Sequence, residues 1–142
     1  MFVSISFRLL VNLESLNSVE SIGNLVRHRT APIVVPTENG YVIRFVPAIS
    51  GESLAHAYQM CLVDEAKRLH LPLTEESERG EFLKFADDSL FEKYGIVIPK
   101  SESQIRRAEV QVLLRDVACD IGGFLYAGEF PIKRTSLFQV GY

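Results

Sequence analysis

Three histidines, His28, His56 and His70, are the side chains best suited to proton transfer near neutral pH in this chain. His28 and His56 flank Ser50-Gly51-Glu52-Ser53, a stretch with the composition of a helix start. An acid–base pair there would suit metal-independent cleavage of RNA by in-line attack of its 2′-hydroxyl. The plainer reading is preferred: each histidine is a polar surface or contact residue, because two histidines of unknown geometry do not make a catalytic pair. Other chemistries lack their signatures. There is no Gly-x-Ser-x-Gly elbow, no phosphate-binding Gly-x-x-x-x-Gly-Lys, no His-Glu-x-x-His and no paired-cysteine zinc motif. No catalytic residue, metal ligand or cofactor is assigned.

The stretch Ser50-Gly51-Glu52-Ser53 follows an apolar run and opens a helical pattern. Ser50 stands where an N-cap belongs, since its hydroxyl can accept from a first-turn amide that has no carbonyl partner. Gly51 and Ser53 keep that turn small, and the positive end of the helix dipole favours phosphate there. Arg27-His28-Arg29 supplies three potential cations just before a strand. If that strand pairs with the one entering Ser50, the triplet and the helix amides share one surface. Such a surface holds a nucleic-acid backbone without reading bases. Arg134, with Thr135 and Ser136, could add to it. An ordinary strand-to-helix cap and a solvated basic loop remain open as alternatives.

Composition bounds these readings. A chain of 142 residues suffices for one domain with a core. Its net charge of −3 argues against indiscriminate binding of nucleic acid over the whole surface. It leaves room for one basic face, because nine acids from Asp64 to Glu92 crowd the middle third. Cys61 and Cys119 stand far apart in apolar surroundings and read as buried thiols. The N-terminus lacks the basic region of a signal peptide and is interrupted by Arg8, and no apolar run approaches the roughly 20 residues that span a bilayer. A cytoplasmic protein without membrane contact is expected.

The elements that must position these residues follow from periodicity. Residues 2–9 alternate like a half-buried first strand. Leu13, Leu16, Val19, Ile22 and Val26 fit a helical face, although the serines, Gly23 and Asn24 weaken it; a broken helix or a structured loop is the alternative. Ile33-Val34-Val35 and Tyr41 to Pro47 read as a hairpin about Glu38-Asn39-Gly40. The helix after Ser50 carries Leu54, Tyr58, Cys61, Leu62 and Leu69 on its apolar stripe. Residues 71–100 read as an acidic, more exposed insertion with its own cluster of Phe82, Leu83, Phe85, Leu90, Phe91 and Tyr94. A second helix starts at 101–103, and Gly122-Gly123 turns it into a strand. Lys133 to Tyr142 reads as another strand.

Several segments together resemble one family: Val19 to Asn24, Val26-Arg27-His28-Arg29-Thr30-Ala31-Pro32, Gly40-Tyr41-Val42, Val46 to Gln59 including Ser50-Gly51-Glu52-Ser53, Asp120 to Leu125, and Lys133 to Tyr142. The set is similar to the DevR-type CRISPR-associated family, the backbone subunit of archaeal type I-A Cascade, and the chain resembles its N-terminal half. The resemblance implies an α+β fold, a modified RNA-recognition-motif (ferredoxin-like) core carried by 1–70 and 101–142 and interrupted by 71–100, here incomplete. It also implies a non-catalytic, guide-RNA-binding subunit in antiviral defence, stacked with copies of itself in a helical filament beside other Cascade subunits. Target DNA would then be met through the guide, which reads sequence by base pairing. Carried onto this chain, Ser50, Gly51, Ser53 and His56 become RNA-backbone contacts, helped by Arg27, His28 and Arg29. A metal-independent endoribonuclease and a DNA-binding autoregulator are the rival readings.

Overall fold

The computed structural model describes residues 2–12, 18–22 and 25–140. In chain order the elements are β1 (Ser18–Ile22), β2 (Leu25–His28), β3 (Thr30–Thr37), β4 (Gly40–Pro47), α1 (Gly51–Arg68), α2 (Glu75–Glu78), α3 (Asp88–Lys93), α4 (Glu102–Arg115), α5 (Val117–Gly122), β5 (Phe124–Tyr126) and β6 (Ile132–Arg134). The class is α+β, as expected, and the described strands form three separate antiparallel pairs. The chain divides into two compact units between Leu54 and Ala55.

In the first unit, β3 and β4 pair over their full length from Thr30 opposite Pro47 to Thr37 opposite Gly40. The expected hairpin is therefore present. Its turn differs in detail: Gly40 has φ 131, whereas Asn39 does not take a positive φ. Glycine alone supplies the conformation that a side chain resists. Two other expectations are corrected. Ser18–Ile22 and Leu25–His28 form a hairpin, with Ile22 opposite Leu25 and an irregularity between Ser18 and Glu20, rather than a broken helix. Gly23-Asn24 is a dipeptide of the kind that favours two-residue hairpin connections, and that signal outweighs the apolar spacing. Residues 13–17, which began the expected helix, lie outside the described residues. Residues 2–12 join no ladder among the described residues, and Phe2, Ile5, Phe7 and Leu9 are exposed. Alternation makes a strand only where a partner and a covering layer exist.

The second unit holds the core. Phe85, Leu90, Phe91 and Ile96 pack with Ala108, Val112, Cys119, Phe124, Tyr126 and Ile132. The apolar cluster of residues 71–100 is thus not the segment's own but shared with α4, α5 and the β5–β6 pair. The buried faces of the helices are also rotated from the expected stripes. In α1, Val63 and Ala66 are buried while Cys61 is exposed, correcting its reading as a buried thiol. In α4, Ala108 and Val112 are buried while Val110 and Leu114 are exposed. Small residues, Ala66 and Ala108, mark the side where neighbours approach closely, a preference that counting large apolar residues overlooks.

Asp116 ties the unit together. Fully buried, its carboxylate accepts from the Thr74 hydroxyl at 2.5 Å, the Ser77 hydroxyl at 2.6 Å and the Ala118 amide at 2.8 Å. It caps α5 directly and holds Thr74, the cap of α2, in place. Three helices end in the same doubly hydrogen-bonded reversal, at His70, Gly80 and Gly95, all with φ between 56 and 78. Gly123, φ 70, joins α5 to β5. A Cβ there would lie 2.5 Å from the Arg134 carbonyl oxygen and 2.6 Å from the Ser136 amide nitrogen, backbone atoms that cannot yield. The expected glycine junction is confirmed.

Candidate nucleic-acid interface

The helix start at Ser50 is built as the sequence requires. The Ser50 hydroxyl accepts the Ser53 amide at 3.1 Å, and its carbonyl accepts the Leu54 amide at 3.2 Å. The Ser50 and Ser53 hydroxyls lie 2.9 Å apart. Ser50 itself is buried, so it shapes the turn more than it presents a hydroxyl. Gly51 meets the other condition: nothing lies within 4 Å of the place a Cβ would occupy. A ligand can therefore reach the backbone of the first turn at that point. Glu52 opposes this electrostatically, since its exposed carboxylate sits on the same turn and repels a phosphate while favouring the dipole.

The basic triplet is held close to the same turn. The Ala48 amide donates to the Arg29 carbonyl at 2.8 Å, extending the β3–β4 register by one residue beyond Thr30 and Pro47. Arg29 is thus pinned opposite Ala48, which lies two residues before Ser50. His28 Nδ1 and Arg29 Nε are buried without a hydrogen-bond partner among the described residues. Buried donors and acceptors are nearly always satisfied, so these two atoms are open to a further partner. Arg27 is placed in β2 by its backbone, opposite Glu20. Arg44, exposed on β4 opposite Ile33, is a further cation in this unit that sequence reading overlooked. Only the strand register could have marked it.

His56 and Arg134 belong to the second unit. The His56 ring meets Phe82 edge-to-face, with centroids 5.7 Å apart and planes at 82°. Arg134 is engaged by acids. It contacts Asp120 through both the side-chain carboxylate and the backbone carbonyl, and its guanidinium lies 3.6 Å from Glu109. With its charge largely balanced, Arg134 is a weaker candidate for phosphate than its sequence context suggested. Lys84 contrasts with it: half-buried, its ammonium donates to the Gly122 carbonyl at 3.3 Å, and burial lowers its pKa. The described residues contain no group of three or more His, Cys, Asp or Glu side chains arranged to hold a metal ion. No described helix is long and apolar enough to cross a membrane.

Comparison with known proteins adds the lineage. The family model described as CRISPR-associated negative auto-regulator DevR/Csa2 matches residues 5–142. The chain belongs to the DevR/Csa2 family. A relative from Saccharolobus solfataricus named CRISPR-associated aCascade subunit Cas7/Csa2 2 is 56% identical over 140 residues, covering 99% of this chain and 44% of that protein. A second from the same organism, CRISPR-associated protein Cas7/Csa2 1, is 39% identical over 143 residues, covering 43% of its length. This DevR/Csa2 chain therefore spans less than half the length of the curated relatives it matches. The resemblance drawn from its Arg27-His28-Arg29 and Ser50-Gly51-Glu52-Ser53 segments to a DevR-type family is confirmed.

Proposed function

We propose that this chain contributes a guide-RNA-binding surface to a Cascade-type complex in CRISPR antiviral defence, without catalysing cleavage. The observation that carries the reading is the Arg29–Ala48 hydrogen bond, which holds a basic segment next to the open helix start at Gly51. Arg27, His28, Arg29 and Arg44 supply charge, Ser50 and Ser53 shape the turn, and the first-turn backbone supplies amide donors. In the second unit, His56 and Arg134 are proposed as RNA contacts of their own, with Arg134 the weaker. Such contacts grip phosphate and ribose and leave base identity unread, which suits a carrier of many different guides. Family membership and the Cascade name of the 56%-identical relative support the assignment.

In this reading, residues 1–70 and 101–142 contribute to a core of the RNA-recognition-motif (ferredoxin-like) kind, with 71–100 as an elaboration. Its partners are single-stranded guide RNA, further copies of the subunit along that strand, and other Cascade subunits. Target DNA reaches the assembly through the guide, and the protein works in the cytoplasm. A second reading has one specific support: the family description includes negative auto-regulation. That reading requires preference for a duplex operator. Competition between two unrelated single-stranded RNAs and duplex DNA separates them. Equal retention of both RNAs, intact afterwards and ahead of duplex, supports the scaffold reading; preference for one duplex sequence overturns it.

A further inference from the structure

The first unit is short of covered apolar surface. Among the described residues, every buried apolar side chain lies at Val63 or beyond. The shortage is sharpest on one face of the β3–β4 hairpin. Residues directly opposite in an antiparallel pair project to the same side. The register therefore stacks three apolar rows, Pro32 with Phe45, Val34 with Ile43, and Pro36 with Tyr41. All six are exposed, Val34 at 65%, Ile43 at 67%, Phe45 at 71% and Tyr41 at 78%. The opposite face differs, with Ala31, Val35 and Val46 partly covered. A two-stranded hairpin with a wholly apolar open face is marginal in water, and contiguous patches of this kind mark contact surfaces.

We propose that this face seats the part of the DevR/Csa2 polypeptide that the present chain does not span. Chain length and family membership carry this proposal independently of RNA binding. The 56%-identical relative matches across the hairpin, yet the match takes up only 44% of it. In that protein the remaining chain belongs to the same polypeptide as the hairpin, so its docking is intramolecular and acts at high effective concentration. The mode of contact also follows from the residues. Pro32 and Pro36 remove two backbone donors from β3, so this strand is poorly suited to extension by another strand. The occupant packs onto the side chains face-on, as a covering layer.

A cysteine-accessibility experiment tests this. Val34→Cys is placed in a Cys61→Ala background, because Cys61 is exposed and Cys119 buried. Thiol labelling is compared between the present chain and the same chain continued by the unmatched remainder of the Saccharolobus relative. Labelling is expected to slow about tenfold or more in the continued chain. Leu114→Cys, at 73% exposure in the second unit, controls for general protection and is expected to keep its rate. Ile43→Lys gives an independent readout: it lowers the thermal midpoint of the continued chain and leaves that of the present chain unchanged. An unchanged Val34→Cys rate, or equal effects of Ile43→Lys on both chains, overturns the proposal. Concentration-dependent protection of the present chain alone also overturns it, making a second copy the occupant.

Discussion

The Ser53 amide donates to the Ser50 hydroxyl at 3.1 Å, and this bond separates folding from binding at the helix start. Ser50→Ala removes the cap and is expected to cost about 1 kcal/mol of stability, read by urea denaturation. Ser53→Glu acts in the opposite direction on the helix, because Ser50 and a glutamate three residues on form a reciprocal capping box. It also adds a carboxylate beside the proposed phosphate contacts. Ser53→Glu is therefore expected to keep or raise stability while weakening RNA binding.

His70 occupies a position that two other helices give to glycine. The His70 amide donates to the Lys67 carbonyl at 3.1 Å and Leu71 to Ala66 at 2.9 Å, the pattern repeated at Gly80 and Gly95. A left-handed conformation costs a side-chain-bearing residue about 1 kcal/mol. His70→Gly is expected to stabilise by up to about 1 kcal/mol and Gly95→Ala to destabilise by a similar amount. Thermal unfolding of the two variants checks both signs.

Asp116 is the most exacting position in the second unit. Asp116→Ala strands the Thr74 and Ser77 hydroxyls and the Ala118 amide, and is expected to cost about 3 kcal/mol or more. Asp116→Asn keeps an acceptor at one oxygen and is expected to lose less. Urea denaturation orders the two, and equal losses would show that volume rather than hydrogen bonding matters there.

Glu76 supplies a pH dependence. Burial pushes its carboxyl up, but hydrogen bonds from Lys93 at 2.6 Å and Tyr94 at 2.6 Å outweigh this, and the pKa falls from 4.5 to about 2. A depressed folded-state pKa means stability present above about 4.5 and lost as pH falls through about 2. Glu76→Gln removes this contribution. The stability gap between wild type and Glu76→Gln is therefore expected to be full above pH 4.5 and to close towards pH 2. A gap that is constant with pH would contradict the pairing.

What could be read from the sequence was what is encoded locally. The Ile33–Phe45 hairpin, the Ser50 cap, the helix opening after Ser101 and the Gly123 junction each depend on a few adjacent residues. Features that depend on distant partners were misread or missed. Residues 2–9 have the alternation of a strand but, among the described residues, no ladder partner. Cys61 fell on the apparent stripe of α1, whereas Ala66 marks the side that packs. Arg134 reads as a free cation until Asp120 and Glu109 are seen beside it. Within the candidate interface, the link between the triplet and the helix start was legible because one hairpin connects them. Arg44 was not, since its place depends on register.

The most direct test of the central claim is binding of labelled single-stranded RNA across a salt series by wild type, Arg29→Ala and Ser53→Glu. Salt-sensitive binding that does not depend on RNA sequence is expected, with a log–log slope of about −0.7 for each phosphate neutralised. Arg29→Ala should flatten that slope by about one such contact, and Ser53→Glu should weaken binding while its unfolding midpoint holds. Folded wild-type protein that retains no RNA at low salt, or that binds equally well with Ser53→Glu, would contradict it.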